Sequence, residues 1–232
     1  MDSIQERLKR MALEKIDHII QSIPLENQLK YGGAIRQFAS YFLTSDSVFH
    51  TLLKGFRRGL SSMHIKSDDI EIYYQKKEGE HTLSFLNHHF SLEQKSYFDF
   101  LSYSVEIMRN ILPLGTLVEL NPSHFQPAQQ LKSTAKVIIT GRFIALKGYQ
   151  SYFPYVGVIY PIGDIKKDAK IYFTEPLIKR VLQNGYKDET EDAFIYFMKK
   201  DLIFDKGFRS FEFSEGDLKK LQFEFKKRAG EM

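Results

Sequence analysis

The chain has 232 residues, 43% of them hydrophobic and 27% charged, with a formal net charge of +4, which is the composition of an ordinary globular protein. It contains no cysteine, which excludes disulfides, thiolate zinc sites, iron–sulfur ligation and cysteine nucleophiles. The first residues are polar and no apolar run is long enough to cross a membrane, so we predict a cytoplasmic protein with neither a signal peptide nor a transmembrane helix.

Three amphipathic helices are predicted at the start of the chain. Apolar residues recur at helical spacing from Ser3 to Ile23, with Asp2 or Ser3 as the cap, and the proline that follows ends this helix. The second helix is predicted from Leu25 to Leu43 and the third from Val48 to Leu60. Helices joined this closely predict a small helical bundle or arm.

The pattern then changes to that of a β-hairpin. Two β-type runs, Ile70–Tyr74 and Thr82–Leu86, flank a charged segment with Gly79 in the turn. The sequence Ser91–Gln94 matches a capping box. We therefore expect a helix from Ser91 to Met108, ended by the proline at position 113.

Short β-type runs separated by glycine, proline and asparagine follow, which is typical of a compact antiparallel sheet. The predicted strands are 112–120, 136–142, 155–163 and 171–175, with a loop at 121–130. Helices are predicted at 174–185, 189–200 and 214–228, with a strand at 208–213. The fold class is therefore α+β: an N-terminal helical region followed by a small, mainly antiparallel sheet with flanking helices. The predicted regions are 1–66, 67–111, 112–200 and 201–232.

Residues suited to catalysis or metal binding do not form a recognisable pattern. None of the seven histidines has the spacing of a helical metal motif. Glu189, Glu191 and Asp192 are close in sequence, but they open a predicted helix, where acidic residues complement the helix dipole. There is no nucleophile elbow and no phosphate-binding glycine loop. We therefore expect no cofactor and no metal, and we cannot nominate catalytic residues.

Aromatic residues, 20 Phe and 13 Tyr, are the best candidates for contact with a partner, because an exposed aromatic cluster requires an explanation. One candidate surface is a predicted loop at 149–155, and the other is a helical face. The candidate partner-binding residues are Tyr149, Tyr152, Phe153, Tyr155, Phe38, Phe42, Phe49 and Phe56. For both surfaces the alternative is that the side chains fill the core.

The order of the motifs within 112–200 resembles one known family. The segment Leu112–Leu120 is followed by a strand ending in Thr-Gly-Arg142, by Tyr155–Gly163, and then by Tyr172–Thr174. This order is similar to the bacterial domain-of-unknown-function family 4176. The resemblance implies a small cytoplasmic protein of Gram-positive bacteria, encoded beside type VII secretion genes and LXG polymorphic toxins. It carries over no catalytic residues.

The resemblance thus favours a non-enzymatic accessory factor, a chaperone or adaptor that binds an LXG-type toxin for export by a type VII secretion system. Three alternatives remain open. The chain could be an immunity protein that neutralises the toxic domain. The pI near 9.0 and the abundant Tyr also allow a nucleic-acid-binding protein, although basic and acidic residues interleave in the last helix. An unrecognised enzyme is the third alternative. The sequence reveals neither the client nor the stoichiometry.

Overall fold

The computed structural model describes residues 2–45, 47–121, 135–165 and 170–230. For residues 228–230 it describes the backbone only. The chain divides into two compact units, one up to Arg109 and the other from Asn110. The predicted boundary after 111 lies two residues from this division, whereas the predicted regions 1–66 and 67–111 are not separate units: both lie, up to Arg109, in the first one. Each unit combines helices with a sheet, which confirms the α+β class.

The first unit packs four helices with one antiparallel sheet in the order β1-β2-β3-β4. The helices are α1 (Ile4–Ser22), α2 (Leu25–Phe42), α3 (Val48–Arg57) and α4 (Gln94–Met108). The strands are β1 (Ser62–Ser67), β2 (Ile70–Lys77), β3 (Glu80–Phe85) and β4 (His88–Glu93). The predicted helices at the start of the chain and the hairpin of β2 and β3 are confirmed.

Local sequence explains how α1 begins and how closely α2 packs on it. Ser3 and Glu6 form a capping box: the Glu6 backbone N–H donates to Ser3 Oγ (3.3 Å), and the Ser3 backbone N–H donates to Glu6 Oε2 (2.9 Å). A Cβ at Gly32 would lie 3.1 Å from Cγ2 of Ile20 in α1. Glycine at this position therefore allows the two helices to approach closely.

A buried stack of three rings lies within the first unit. The rings of His81 and Tyr97 are stacked with centroids 4.5 Å apart, and the Tyr74 hydroxyl lies 2.8 Å from Nδ1 of His81. Burial lowers the pKa of His81, and the positive charge of Lys76, its cross-strand partner, adds to this effect. The imidazole is therefore held in its neutral form inside the unit.

The second unit is built on a mainly antiparallel sheet in the order β10-β7-β6-β5-β9, with β8 also paired to β7. The strands are β5 (Leu117–Leu120), β6 (Lys136–Ala145), β7 (Ser151–Ile159), β8 (Ile171–Phe173), β9 (Ile178–Gln183) and β10 (Arg209–Ser210). The helices are α5 (Glu189–Lys199), which continues as a π-helical segment at Lys200–Asp205, and α6 (Glu215–Gly230). Among the strand pairs of the described residues in this unit, only the short β10–β7 pair is parallel.

One core cluster of this unit is formed by side chains of strands β5 to β8. Its buried members are Val118, Leu120, Val137, Ile139, Tyr155 and Phe173. The Tyr155 hydroxyl accepts a hydrogen bond from the Leu112 backbone N–H (3.2 Å). The segment before β5 is thereby attached to the sheet.

Several predicted elements are wrong. The helix predicted at 174–185 is a 3-10 turn followed by strand β9, because 178–183 pairs with β5 in the sheet. Ser91 lies within strand β4 and does not cap α4, which begins at Gln94. The strand predicted at 208–213 is only two residues long and ends in a 3-10 turn. The predicted loop at 121–130 lies, apart from Asn121, outside the described residues.

Candidate partner-binding surface

The aromatic residues nominated from the sequence lie mostly in the interior of the protein. The buried ones are Tyr149, Tyr152, Tyr155, Phe38, Phe42 and Phe49. Two of the three tyrosines lie in β7, which begins at Ser151 where a loop was predicted. This strand pairs with β6 on one side and with β8 and β10 on the other. The expected exposure of these six side chains is therefore wrong, and the core-filling alternative describes them.

The other two nominated residues, Phe153 and Phe56, are half-buried against neighbouring rings. Phe153 stacks on Phe211 with ring centroids 4.3 Å apart, and Phe56 stacks on Phe98 at 5.5 Å. Contact of any of the eight with a partner stays a prediction, which their packing does not favour.

An exposed face with two phenylalanines lies instead on helix α5. Thr190, Ala193, Phe194 and Phe197 are all exposed and follow the spacing i, i+3, i+4 and i+7. Residues at this spacing share one side of a helix. Phe197 is 64% exposed and Phe194 40%. We call these four residues the α5 stripe.

A buried ion pair fixes α5 against the sheet. Arg142 of β6 makes a two-pronged contact with Glu191: Nη1 donates to Oε1, and Nη2 donates to Oε2 (3.1 Å). The side chains are only 4% and 14% exposed. The Asp188 side chain caps the helix by accepting from the Glu191 backbone N–H (3.1 Å). Glu191 thus opens the helix, as predicted, and also binds it to β6.

The same attachment supports the first phenylalanine of the α5 stripe. The Arg142 guanidinium lies 5.1 Å from the centre of the Phe194 ring, a cation–π distance. Phe143 packs on Phe194 edge to face, with ring centroids 6.3 Å apart. Phe143 has a φ of +54°, which is sterically unfavourable for a bulky residue and requires support from its surroundings. Phe194 is therefore held from beneath, while Phe197 projects further into solvent.

A second buried charge in this unit is fully paired. Glu119 of β5 accepts from Lys179 Nζ (2.8 Å) and from Arg180 Nε (2.6 Å), both on β9. This arrangement neutralises the buried carboxylate and strengthens the contact between the two strands. Its role is therefore structural.

The described ranges contain neither a metal-binding cluster nor a membrane-spanning helix. No group of three His, Asp or Glu side chains there is arranged to hold a metal ion. No helix among these residues has the length and apolar character that a membrane span requires.

Comparison with known proteins identifies one family. The searches of curated proteins and of solved structures found no match. Residues 111–194 match the family model of a domain of unknown function, DUF4176. The matched segment begins just before β5 and ends in α5, at Phe194 of the α5 stripe. The resemblance seen in the sequence is therefore confirmed, and the second unit of this chain carries a segment of the DUF4176 type.

Proposed function

We propose that this protein is a non-enzymatic accessory factor, a chaperone or adaptor, that binds a polymorphic toxin of the LXG type for export by a type VII secretion system. Location in the cytoplasm belongs to the same proposal, because a factor of this kind meets its client before export. The observation that supports binding of a protein is the α5 stripe, and the link to toxins rests on the resemblance stated above.

The α5 stripe has the properties of a helix-docking surface. Partner helices and grooves recognise anchors at i, i+3, i+4 and i+7, the spacing that its four residues follow. Aromatic side chains are enriched among the residues that dominate binding energy. The buried Arg142–Glu191 pair holds the helix in place before a client arrives, which lowers the entropy cost of association.

The first test is deletion of the gene in the source organism, followed by measurement of the soluble and secreted amounts of the toxin encoded beside it. We expect both to fall, and expression of the wild-type protein should restore them. The proposal fails if the toxin stays soluble and is secreted equally well without this protein.

The second test asks whether the α5 stripe carries the function. Phe197→Ser removes the most exposed anchor and should not restore toxin export in the deletion strain. The control is Leu25→Ser/Leu29→Ser, which changes two exposed leucines of α2 in the first unit and should restore export. Equal restoration by both variants would show that the α5 stripe is not the binding surface.

An immunity role would use the same kind of surface but a different part of the toxin. It predicts that this protein protects cells that express the toxic domain alone. A chaperone that binds elsewhere on the client gives no such protection. Protection assays with the isolated domain therefore separate the two roles.

A further inference from the structure

The positive charge of the chain is concentrated in ten residues of α6. Residues 219–228 contain five basic residues and one acidic residue, a net charge of +4. The whole chain has 33 basic and 29 acidic residues, so the remainder carries 28 of each and is neutral. Two of the three acidic residues of α6, Glu215 and Asp217, lie in its first turn, where they complement the helix dipole.

The first half of α6 is docked on the second unit. Leu221 is buried against Tyr149 and Phe211. Asp217 Oδ2 accepts a hydrogen bond from Ser151 Oγ (2.6 Å), and Lys220 Nζ donates to the carbonyl oxygen of Gly148 (2.9 Å). These contacts hold this half of the helix in place.

The second half has a different character. Phe223 is 70% exposed and Phe225 61%. Residues two positions apart on a helix are separated by a rotation of about 200° around its axis. The two rings therefore point to nearly opposite sides of α6. Phe223 is surrounded at i±3 and i±4 by four lysines, all exposed: Lys219, Lys220, Lys226 and Lys227. From 222 to 227 no side chain forms a hydrogen bond or ion pair with another described residue.

We propose that this half of α6 inserts into an acidic cleft of a partner protein, with apolar pockets for Phe223 and Phe225. Charge complementarity selects an acidic partner. The opposed phenylalanines select a cleft, because a flat surface can cover only one side of a helix. A helix that lies on an anionic membrane buries one apolar face and would leave one ring in water. Phosphates of a nucleic acid would pair with the lysines but offer no apolar pockets for the rings.

This surface is separate from the α5 stripe, and its partner need not be the toxin. The proposal therefore goes beyond the proposed function and can fail without it. If α6 has no acidic partner while Phe197→Ser still abolishes toxin export, the proposed function stands and this inference is wrong.

The test is site-specific photocrosslinking of the full chain in the source organism. Benzoylphenylalanine replaces Phe223 in one variant and Phe225 in another, and the crosslinked peptides are mapped by mass spectrometry. We expect both positions to crosslink to the same protein, within segments rich in Asp and Glu. Adding Lys226→Glu/Lys227→Glu should lower the crosslinking yield at least tenfold.

Matched controls separate the proposed site from general charge effects. Lys66→Glu/Lys77→Glu changes the net charge by the same amount at exposed positions of the first unit and should leave the yield unchanged. The purified protein is also titrated with 3:1 phosphatidylcholine–phosphatidylglycerol vesicles and with a 20-base-pair DNA duplex. The proposal is wrong if only one of the two positions forms crosslinks, or if neither does. It is also wrong if the protein binds vesicles or the duplex and this binding depends on the same lysines.

Discussion

The Arg142–Glu191 pair gives the most quantitative prediction. Glu191→Gln keeps the size of the side chain but removes the charge that compensates a guanidinium only 4% exposed. Removing one member of a buried pair costs about 3–5 kcal/mol, because the other charge stays buried without its partner. We take about 3 kcal/mol, the lower limit, because Glu191 is 14% exposed. The loss should appear where the pair acts, at the attachment of α5 to β6.

Hydrogen exchange followed by mass spectrometry measures this loss locally. A cost of about 3 kcal/mol raises the opening equilibrium of α5 about a hundredfold. Peptides from Glu189–Lys199 should therefore exchange about a hundred times faster in the variant. Peptides from α1 in the first unit serve as the internal control and should not change.

The double variant Arg142→Met/Glu191→Leu tests the cause. It removes both charges and keeps similar volumes, and such replacements are often neutral or stabilising. We expect exchange in α5 within about tenfold of the wild type, much slower than in Glu191→Gln. Exchange within threefold of the wild type in Glu191→Gln would refute the reasoning. So would a double variant as unstable as the single one.

Three further predictions concern stability. Because the pKa of His81 is lowered in the folded state, the unfolded chain binds more protons than the folded chain below about pH 6.5. The urea concentration at the unfolding midpoint of the first unit should therefore be lower at pH 5.5 than at pH 7.5. This difference should be smaller in His81→Phe. Gly157→Ala places a Cβ against the Ile138 carbonyl oxygen and should lower the free energy of unfolding by about 1–3 kcal/mol. At the helical control Gly33→Ala the new Cβ has no atom of the described residues within 4 Å, so this variant should raise the free energy of unfolding by about 0.5–1 kcal/mol; equal effects of the two would contradict the packing argument. Ser3→Ala should cost about 1 kcal/mol through the lost cap, and exchange in the first turn of α1 checks this value.

The sequence predicted those elements whose signals are local. The start of α1 is determined by a cap within the same turn, and α2 and α3 carry apolar stripes at helical spacing. The prediction for β9 failed because the sequence Ile178–Gln183 fits either a helix or a strand. Its pairing with β5 determines that it is a strand. Strands β1 and β4 were missed, since alternating polar segments such as Ser62–Ser67 give a weak apolar signal.

The candidate surface depends on contacts that are distant in sequence. Arg142 and Glu191 are 49 residues apart, and nothing local to either one indicates the other. The spacing of the α5 stripe is visible in the sequence, but its exposure is not, because the opposite face also carries an apolar residue, Ile195. The aromatic clusters did not identify an exposed surface, because aromatic side chains are common both in protein cores and at interfaces.

Helix α5 places its charged and apolar residues in the reverse of the usual arrangement. Glu191 and Lys199 lie inside, with Lys199 fully buried, while Phe197 is outside. A helix that only had to pack on this sheet would bury its phenylalanines and expose its charges. Covering the exposed 64% of Phe197 removes roughly 130 Å² from water, a transfer free energy of about 3 kcal/mol before the costs of association are subtracted. The buried Arg142–Glu191 pair accounts for the charge inside, whereas the exposure of Phe197 adds nothing to the stability of the unit and is what the partner proposed above would use.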